Sequence, residues 1–382
     1  MVLFLHNRYR TTGGEERVVE DLLWLVREHL NEPAELLARS SADLGQARAA
    51  LGLMRGGLDS GEVKRAVRSG GARVVHAHNL HPAFGWRALA AARAAGARVV
   101  LHLHQYRLVC AVGVCFTKGE ECTRCHGRNT LPGARLNCRG SRPEAAAYAA
   151  SLALWQERLV EQADAVIVPS VFARERLRAL GAPLPWECVH VLAPPVRAAE
   201  APPSLGVGDD GGGGSVGFAH ERYALVVSRL SPEKGVDVAV DACRLAGIPL
   251  VVAGDGPEAG ALRVRAGEGA VRFLGSVDEQ ALAGLRAGAA IALVPSRSAE
   301  TFGLAAAEAM AAGVPVVGSD VGALPELIER DALVPAGDAR ALADAIVRVV
   351  GDRDAGARGL ERVGALCAPD AVARALGAIY DG

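Results

Sequence analysis

The chain is short of three things, and each shortage closes off a class of function. It has no excess of positive charge: 42 Lys and Arg stand against 43 Asp and Glu, a net charge of −1 with a pI near 6.8. No basic field marks it as a nucleic-acid binder. It has no apolar run of the ~20 residues that a membrane-spanning helix needs, and residues 1–6 are too short and too polar-flanked for a secretory signal. A cytoplasmic protein without a transmembrane segment is therefore expected, with peripheral contact at a membrane surface left open. It is also poor in aromatics, at 4%. Half of its residues are apolar and Ala and Gly abound, a balance that suits α/β layers built on small-residue helices. What the chain has is length: 382 residues are many for one core and fit two domains.

Apolar runs alternate with helical patterns through the first half. Strands are expected at residues 2–5, 73–76, 99–103 and 165–168, and helices at 16–30 and 172–180, the second capped by Ser170. Between residues 200 and 220 the composition turns to Pro, Gly, Asp and Ser, with four consecutive glycines at 211–214, as in a flexible linker. The alternation resumes with strands at 223–227, 250–253, 271–274, 290–294 and 314–317. Helices are expected at 236–246, 278–286 and 338–350. Such alternation implies parallel sheets with helices on both faces. Two Rossmann-like α/β domains facing each other across a cleft are expected, at 1–199 and 221–365, joined by the linker 200–220.

The segment from Ser298 to Met310 is the most informative. It reads as a strand end, a tight turn at Gly303 and a short Ala-rich helix stopped by Gly313 and Pro315. Unpaired N–H groups and the helix dipole at such a helix start favour a phosphate. Glu300 and Glu308 bracket it eight positions apart. Carboxylates repel phosphate, so they suit the hydroxyls of a ribose and a hexose. The ligand implied is a sugar nucleotide.

Glu300 and Glu308 resemble the E-x(7)-E signature of retaining glycosyltransferases of the GT-B fold, family 4. The resemblance continues in order along nearly the whole chain: His6 to Glu16 with Gly13-Gly14, His76-Ala77-His78-Asn79, His102 to Cys110, Ser228 to Gly235, and Ala253 to Pro257. It implies that Arg229 and Lys234 neutralise the leaving diphosphate, that Glu308 binds the ribose hydroxyls and that Glu300 contacts the donor sugar. By the same resemblance Phe302, Gly303 and Leu304 lend backbone N–H groups, and Gly13 and Gly14 form a loop reaching the donor phosphate. His104 corresponds to a histidine that helps hold the donor sugar. The stretch 273–279, with Val277, lies by the base. The last helix, about 369–380 within the tail 366–382, is implied to cross back to the first domain. Taken singly, a solvated Arg and Lys in a loop, or a Glu on a helix surface, would be the ordinary reading; the pattern reverses it.

His76, His78, His102 and His104 cluster near two strand ends, with His81 close behind. His-x-His puts each pair on one strand face and invites a metal. No Asp-x-Asp motif sits beside them and GT-B catalysis as a rule needs no metal, so a structural role, with rings donating to backbone carbonyls, is expected for most. Five of the eight cysteines lie between Cys110 and Cys138. Cys110, Cys122, Cys125 and Cys138 give C-x(11)-C-x(2)-C-x(12)-C within an insertion at 110–140, compatible with a structural four-thiolate zinc. Disulfides and free thiols are the other readings. Cys188, Cys243 and Cys367 are expected to be small core residues.

The function these observations imply is transfer of a sugar from a nucleoside diphosphate sugar to an acceptor hydroxyl. The family resemblance points to UDP with a hexose or amino sugar, and to an acceptor that is a glycan, a lipid-linked sugar or a small metabolite. No cofactor is expected for catalysis. Two rivals stand beside it. An NAD-type oxidoreductase is disfavoured because neither half carries G-x-G-x-x-G followed by an acidic residue at the right distance. A non-catalytic, zinc-stabilised interaction protein on the same scaffold is disfavoured by the intact Arg229, Lys234, Glu300 and Glu308 set.

Overall fold

The computed structural model of the protein describes residues 1–9, 13–197 and 222–382; residues 10–12 of the glycine-rich opening and the expected linker at 200–220 lie outside the described residues. The chain divides into two compact units, Met1–Pro195 with Cys367–Gly382, and Val196–Leu366.

The first unit is built on β1 (Val2–Arg8), β2 (Ala34–Ser40), β3 (Val74–Ala77), β4 (Arg98–His102), the two-residue strands β5 (Phe116–Thr117) and β6 (Glu120–Glu121), β7 (Ala165–Val168) and β8 (Val189–Val191). Its six-stranded sheet runs β2-β1-β3-β4-β7-β8, with every pair parallel. β3 and β7 are buried along their whole length, as strands covered on both faces must be; β7 reads as an unbroken apolar run, and β3 does so but for His76. Leu3, Leu5, Val75, Ala77, Val99, Leu101, Val166 and Val168 form the centre of the core. The helix Val171–Ala179 begins where the Ser170 hydroxyl accepts from the Ala173 N–H at 2.9 Å.

The C-terminal helix Pro369–Asp381 belongs to this unit. It buries Val372, Leu376, Ile379 and Tyr380, and is tied down by Arg73 to Asp381 (2.9 Å), His29 to Asp370 (2.7 Å) and Arg98 to the Ile379 carbonyl (3.1 Å). The stretch Arg353–Asp381 has the length and composition to cross a membrane. It is nonetheless two helices, because Ala368 leaves the helical region (φ −56°, ψ 128°) and Pro369 opens a new first turn.

The second unit contains β9 (Tyr223–Val227), β10 (Leu250–Ala253), β11 (Val271–Gly275), β12 (Ala289–Val294), β13 (Val316–Ser319) and β14 (Leu333–Val334). The sheet order is β11-β10-β9-β12-β13-β14, all parallel. In order of occurrence this is 3-2-1-4-5-6, the arrangement of dinucleotide-binding sheets, and its strand order reverses between β9 and β12. In the first unit the reversal falls between β1 and β3. Ligands of open α/β sheets bind outside the carboxyl ends of the strands at such a switch point, so each unit has one predetermined place for chemistry.

Three strands of these sheets, β2, β8 and β14, were not expected. Each is an edge or near-edge strand, and β2 (AELLARS) carries charged residues with much of its length only half buried. Cys188 also departs from expectation: it lies in the turn Trp186–Cys188 and is half buried, whereas Cys243 and Cys367 are core residues.

Candidate active site

In the second unit the chain leaves β9 through Ser228 and Arg229 and turns at Pro232–Lys234 into the helix Val236–Ala246. Gly235 makes the turn at φ 63°, and a Cβ there would stand 2.1 Å from the Pro295 carbonyl oxygen. Only glycine lets this loop close against the one that follows β12. The two loops are further sewn together by Glu233, whose carbonyl accepts from the N–H groups of Arg297 (2.8 Å) and Ser298 (3.2 Å).

This places the β9-loop cations beside carboxylates. Lys234 Nζ donates to Glu300 Oε1 at 2.7 Å, and the Ser296 hydroxyl donates to the same oxygen at 2.5 Å. Burial pushes the Glu300 carboxyl up, but the Lys234 cation and these two hydrogen bonds outweigh it and hold the group below the usual range. Arg229 Nη2 donates to Glu233 Oε1 at 2.5 Å, and Ser231 Oγ donates to it at 2.7 Å. Burial raises Glu233 too, and the Ser231 bond and the Arg229 cation more than offset it. Arg229 and Lys234 both keep exposed surface, 46% and 27% of their side chains.

Gly303, at φ 102°, is the N-cap of the helix Leu304–Ala311, so Leu304 is its first residue. Phe302 is buried. The predicted residues Arg229, Lys234, Glu300, Phe302, Gly303 and Leu304 therefore all lie in the loops that leave β9 and β12, the pair at the switch point. Glu308 sits one turn further along that helix and is bonded to Arg286, a buried cation that also lies 4.0 Å from Glu279. Sequence reasoning missed Arg286 and the role of Glu233; an arginine at the end of an amphipathic helix looks like a surface residue. Val277 lies in the loop after β11 and its side chain packs on the core, which leaves its backbone as the part a ligand could use.

The first unit presents a different chemistry at its own switch point. His76, His78 and His102 are 0–3% exposed and form a ring stack with His104, the His102–His104 centroids lying 4.1 Å apart. Contrary to the expectation of rings donating to carbonyls, these rings bond one another. His76 Nε2 meets His102 Nδ1 at 3.2 Å, His78 Nδ1 meets His104 Nε2 at 2.7 Å, and His76 Nδ1 meets the Tyr380 hydroxyl at 2.7 Å. Burial, then the neighbouring imidazoles, depress all four; His76 falls to about 3. For His104, Glu15 and Glu16 pull the other way without cancelling the burial effect. The stack is neutral at pH 7.

Beside it, Glu15 accepts from the Tyr9 hydroxyl (2.6 Å) and from Gln105 (3.1 Å), and Arg107 lies over the Tyr9 ring. Glu16 accepts from the N–H groups of Tyr9 (3.0 Å) and Gly13 (2.9 Å). Gly13 thus caps the helix that Gly14 begins. His6 Nε2 and Nδ1 lie 3.7 and 4.0 Å from the Glu16 and Glu15 carboxylates, while Nε2 of His78 and Oδ1 of Asn7 are buried without a hydrogen-bond partner. Buried polar atoms left unsatisfied are uncommon and set these strand ends apart from the rest of the unit. His6, Asn7, Tyr9 and Glu15 belonged to the quoted opening motif, but their mutual contact was not foreseen.

The cysteines are partly as expected. Cys110, Cys122, Cys125 and Cys138 line a single small cavity, joined by Cys115, which spacing had left out. The sulfurs do not form a closed set: among the described residues the trio of potential ligands with donor atoms all within 4.8 Å of one another is His76, His78 and His102. That trio has most of its nitrogens committed to other rings and to Tyr380.

The fold and site define a protein with two doubly wound parallel sheets, one of them in dinucleotide-binding order and presenting cations, a carboxylate pair and a helix start at its switch point. That is the GT-B architecture. Residues 2–195 match the glycosyl transferase 4-like domain and residues 221–352 the glycosyl transferases group 1 domain, so the chain belongs to glycosyltransferase family 4. It is similar to the phosphatidyl-myo-inositol mannosyltransferase of Mycobacterium leprae, at 40% identity over 131 residues, 31% of this chain and 34% of that protein. It is also similar to a GDP-mannose-dependent alpha-(1-6)-phosphatidylinositol dimannoside mannosyltransferase of Mycobacterium tuberculosis, at 44% over 109 residues, 27% and 28% of the two chains. The matched stretch spans about a third or less of these two relatives' length. Among solved structures, Anabaena HepE in complex with UDP and glucose superposes with a TM-score of 0.65 at 19% identity, covering 100% of this chain and 99% of that one.

Proposed function

We propose that the protein transfers a sugar from a nucleoside diphosphate sugar to an acceptor hydroxyl, with retention at the anomeric carbon. The observation that carries this reading is the meeting of Lys234 and Glu300, 2.7 Å apart, at the switch point of a sheet in dinucleotide-binding order, with a helix start at Gly303 beside them. In such a transfer the diphosphate leaves and its negative charge grows in the transition state. Lys234 and Arg229 lie where that charge would be met, and both already face carboxylates, so they are charged and held in place before the donor arrives. Glu300 remains ionised and accepts hydrogen bonds, first from Lys234 and then from hydroxyls of the donor sugar. Glu308 holds the ribose, with Arg286 fixing its rotamer. The acceptor's proton goes to the departing phosphate oxygen on the same face, so no side-chain base and no metal is required in this step. The acceptor would meet the first unit, at the strand ends that gather Tyr9, Glu15, Gln105 and His104.

For the donor we favour GDP-mannose, because two mycobacterial relatives at 40% and 44% identity are named as mannosyltransferases and one of them as GDP-mannose-dependent. UDP-hexose is the second reading, supported by the nucleotide in the HepE complex. The test is to incubate the purified protein with GDP-mannose, UDP-glucose and UDP-N-acetylglucosamine, with and without a chelator, and follow donor hydrolysis and nucleotide binding. Chelator-resistant hydrolysis of one donor is expected, with retained anomeric configuration in any product by NMR. No binding or hydrolysis of any donor would sink the reading; inverted product would sink its stereochemistry.

A further inference from the structure

We propose that the cavity between Cys110, Cys122, Cys125 and Cys138 takes one zinc ion on four thiolates, and that Cys115 is not a ligand but the neighbour that hydrogen-bonds to Cys110. This is a structural site in the first unit, independent of the transfer chemistry. The first support is convergence. Cysteines spread over 29 positions, from residue 110 to residue 138, line one cavity of about 10 Å³, room for a single water-sized sphere. The second is the character of the segment. Its regular structure amounts to the two-residue strands β5 and β6 and the five-residue helix Leu131–Arg135, yet it buries Cys110, Cys115 and Cys125 against the core, and coupling to a metal is one way to hold so sparsely structured a segment in place.

The third support is chemistry. Four thiols release four protons to solvent on binding, and a four-thiolate zinc carries two net negative charges. Arg139 donates to the Ala111 carbonyl beside Cys110 (3.3 Å) and pairs with Glu144 (2.7 Å), and Arg176 pairs with Glu121 beside Cys122 (2.5 Å), so the neighbouring cations are already matched by carboxylates and the thiolate set itself carries the assignment. The Cys110 and Cys115 side chains hydrogen-bond each other, so one of the pair is the ligand and the other its neighbour, and the C-x(11)-C-x(2)-C-x(12)-C spacing assigns the ligand to Cys110; the Cys115 carbonyl accepts from the Cys122 N–H at 2.7 Å. In a tetrahedral site with zinc–sulfur bonds of about 2.3 Å the sulfurs stand roughly 3.8 Å from one another; among the described residues no three of these sulfurs lie within 4.8 Å of each other, so binding must draw the loop inward around the ion. The soft thiolate set excludes magnesium and calcium and selects zinc over harder ions.

The experiment begins with the full chain purified without added metal. Elemental analysis should find about one zinc per chain. Cobalt exchanged into the site should give the intense thiolate charge-transfer and tetrahedral ligand-field absorption of a four-sulfur site. Cys125→Ser should lose the metal and Cys115→Ser should keep it, with His102→Ala keeping it too. Zinc-free protein whose thiols titrate freely would overturn the proposal, as would a Cys110–Cys115 disulfide without metal. Zinc lost in His102→Ala but kept in Cys125→Ser would put the ion on the imidazoles and overturn it equally. Should Cys125→Ser fail to fold, the cobalt spectrum of the unmutated protein decides by itself, since nitrogen ligation lacks the strong thiolate bands.

Discussion

The two switch points of this molecule solve opposite problems with the same geometry. In the second unit, Arg229, Lys234 and Arg286 face Glu233, Glu300 and Glu308, each cation holding a carboxylate. In the first, four buried histidines, His6, His76, His78 and His102, and the half-buried His104 are gathered with few opposing charges. On the proposed function, the charged site would meet a ligand that brings its own charge. The imidazole site, held neutral by burial, would suit a ligand made of hydroxyls. A sheet's topology decides where chemistry happens, and the residue types placed there decide what kind.

The widest gap between the two units should appear in acid. His76 is depressed from 6.5 to about 3 by burial, and His81 likewise, with Arg107 and Arg139 adding to it. A histidine depressed in the folded state takes up its proton sooner in the unfolded chain, so stability falls as pH drops from about 6.5 towards 3, by up to several kcal/mol for one such group. In the second unit, Glu233 and Glu300 are held below the ordinary 4.5. Their contribution is intact above about pH 4.5 and fades only as pH falls through their lowered values. Among the described residues the second unit contains no histidine, and all four tryptophans (Trp24, Trp86, Trp155, Trp186) lie in the first. Acid titration should therefore move tryptophan fluorescence between pH 6.5 and 4.5 while a large part of the far-ultraviolet circular dichroism persists. Coincident transitions below pH 4.5 would refute the contrast.

Next in size is the loss of a cation from the charged site. Lys234→Ala should lower kcat for donor turnover about 10²-fold or more, the scale seen when a group that stabilises developing charge is deleted. Arg229→Ala should do the same to a lesser degree, because its side chain is more exposed and more strongly screened. His104→Ala should leave nucleotide affinity close to that of the parent. If it weakened nucleotide binding as much as Lys234→Ala does, the division of labour between the two units would be wrong.

How much of this was legible beforehand follows from what kind of signal each feature leaves. Central strands such as β7 and β9 fell where expected because a run buried on both faces is predominantly apolar. The helix starts at Ser170 and Asp278 were readable because a capping side chain is a local device; Asp278 Oδ1 accepts from the Ala281 N–H at 2.8 Å. Edge strand β2 was not readable, since its pairing with β1 is made by backbone groups and its side chains look like any half-exposed loop. At the site, Lys234 and Glu300 could be named from motifs 66 positions apart. The Arg286–Glu308 pair and the Tyr380–His76 bond could not, because nothing in a local pattern says which distant partner a buried polar group will find. Cys115 was passed over for the same reason: spacing ranks cysteines by sequence distance, and the cavity ranks them by position.

A smaller effect separates the two carboxylates within the charged site. Glu308→Gln should weaken binding of the nucleoside diphosphate and of the intact donor alike, by about tenfold, or roughly 1.4 kcal/mol, because the ribose is common to both. Glu300→Gln should weaken only the intact donor and leave the free nucleotide unaffected or slightly tighter, since Lys234 then loses its internal partner. Calorimetry with the two ligands reads both numbers directly. Equal losses with both ligands for both variants would erase the distinction between ribose and sugar contacts.

The smallest expected effect concerns the far end of the chain. Tyr380 is 2% exposed and its hydroxyl meets His76 Nδ1 at 2.7 Å, so the last helix contributes a polar contact to the imidazole stack as well as apolar area. Tyr380→Phe keeps the ring and its packing and removes only that contact. A hydrogen bond of this kind is worth about 1 kcal/mol net, somewhat more when the partner is left buried and unsatisfied. In a unit of this size that corresponds to a fall of roughly 2–4 °C in Tm, read by tryptophan fluorescence. The fall should grow no larger in acid, because His76 is neutral on both sides of the comparison down to about pH 3. A Tyr380→Phe protein as stable as its parent would mean that the hydroxyl–imidazole bond contributes nothing in solution, and that the C-terminal helix is held to the first unit by its apolar side chains and by the Arg73–Asp381, His29–Asp370 and Arg98–Ile379 contacts.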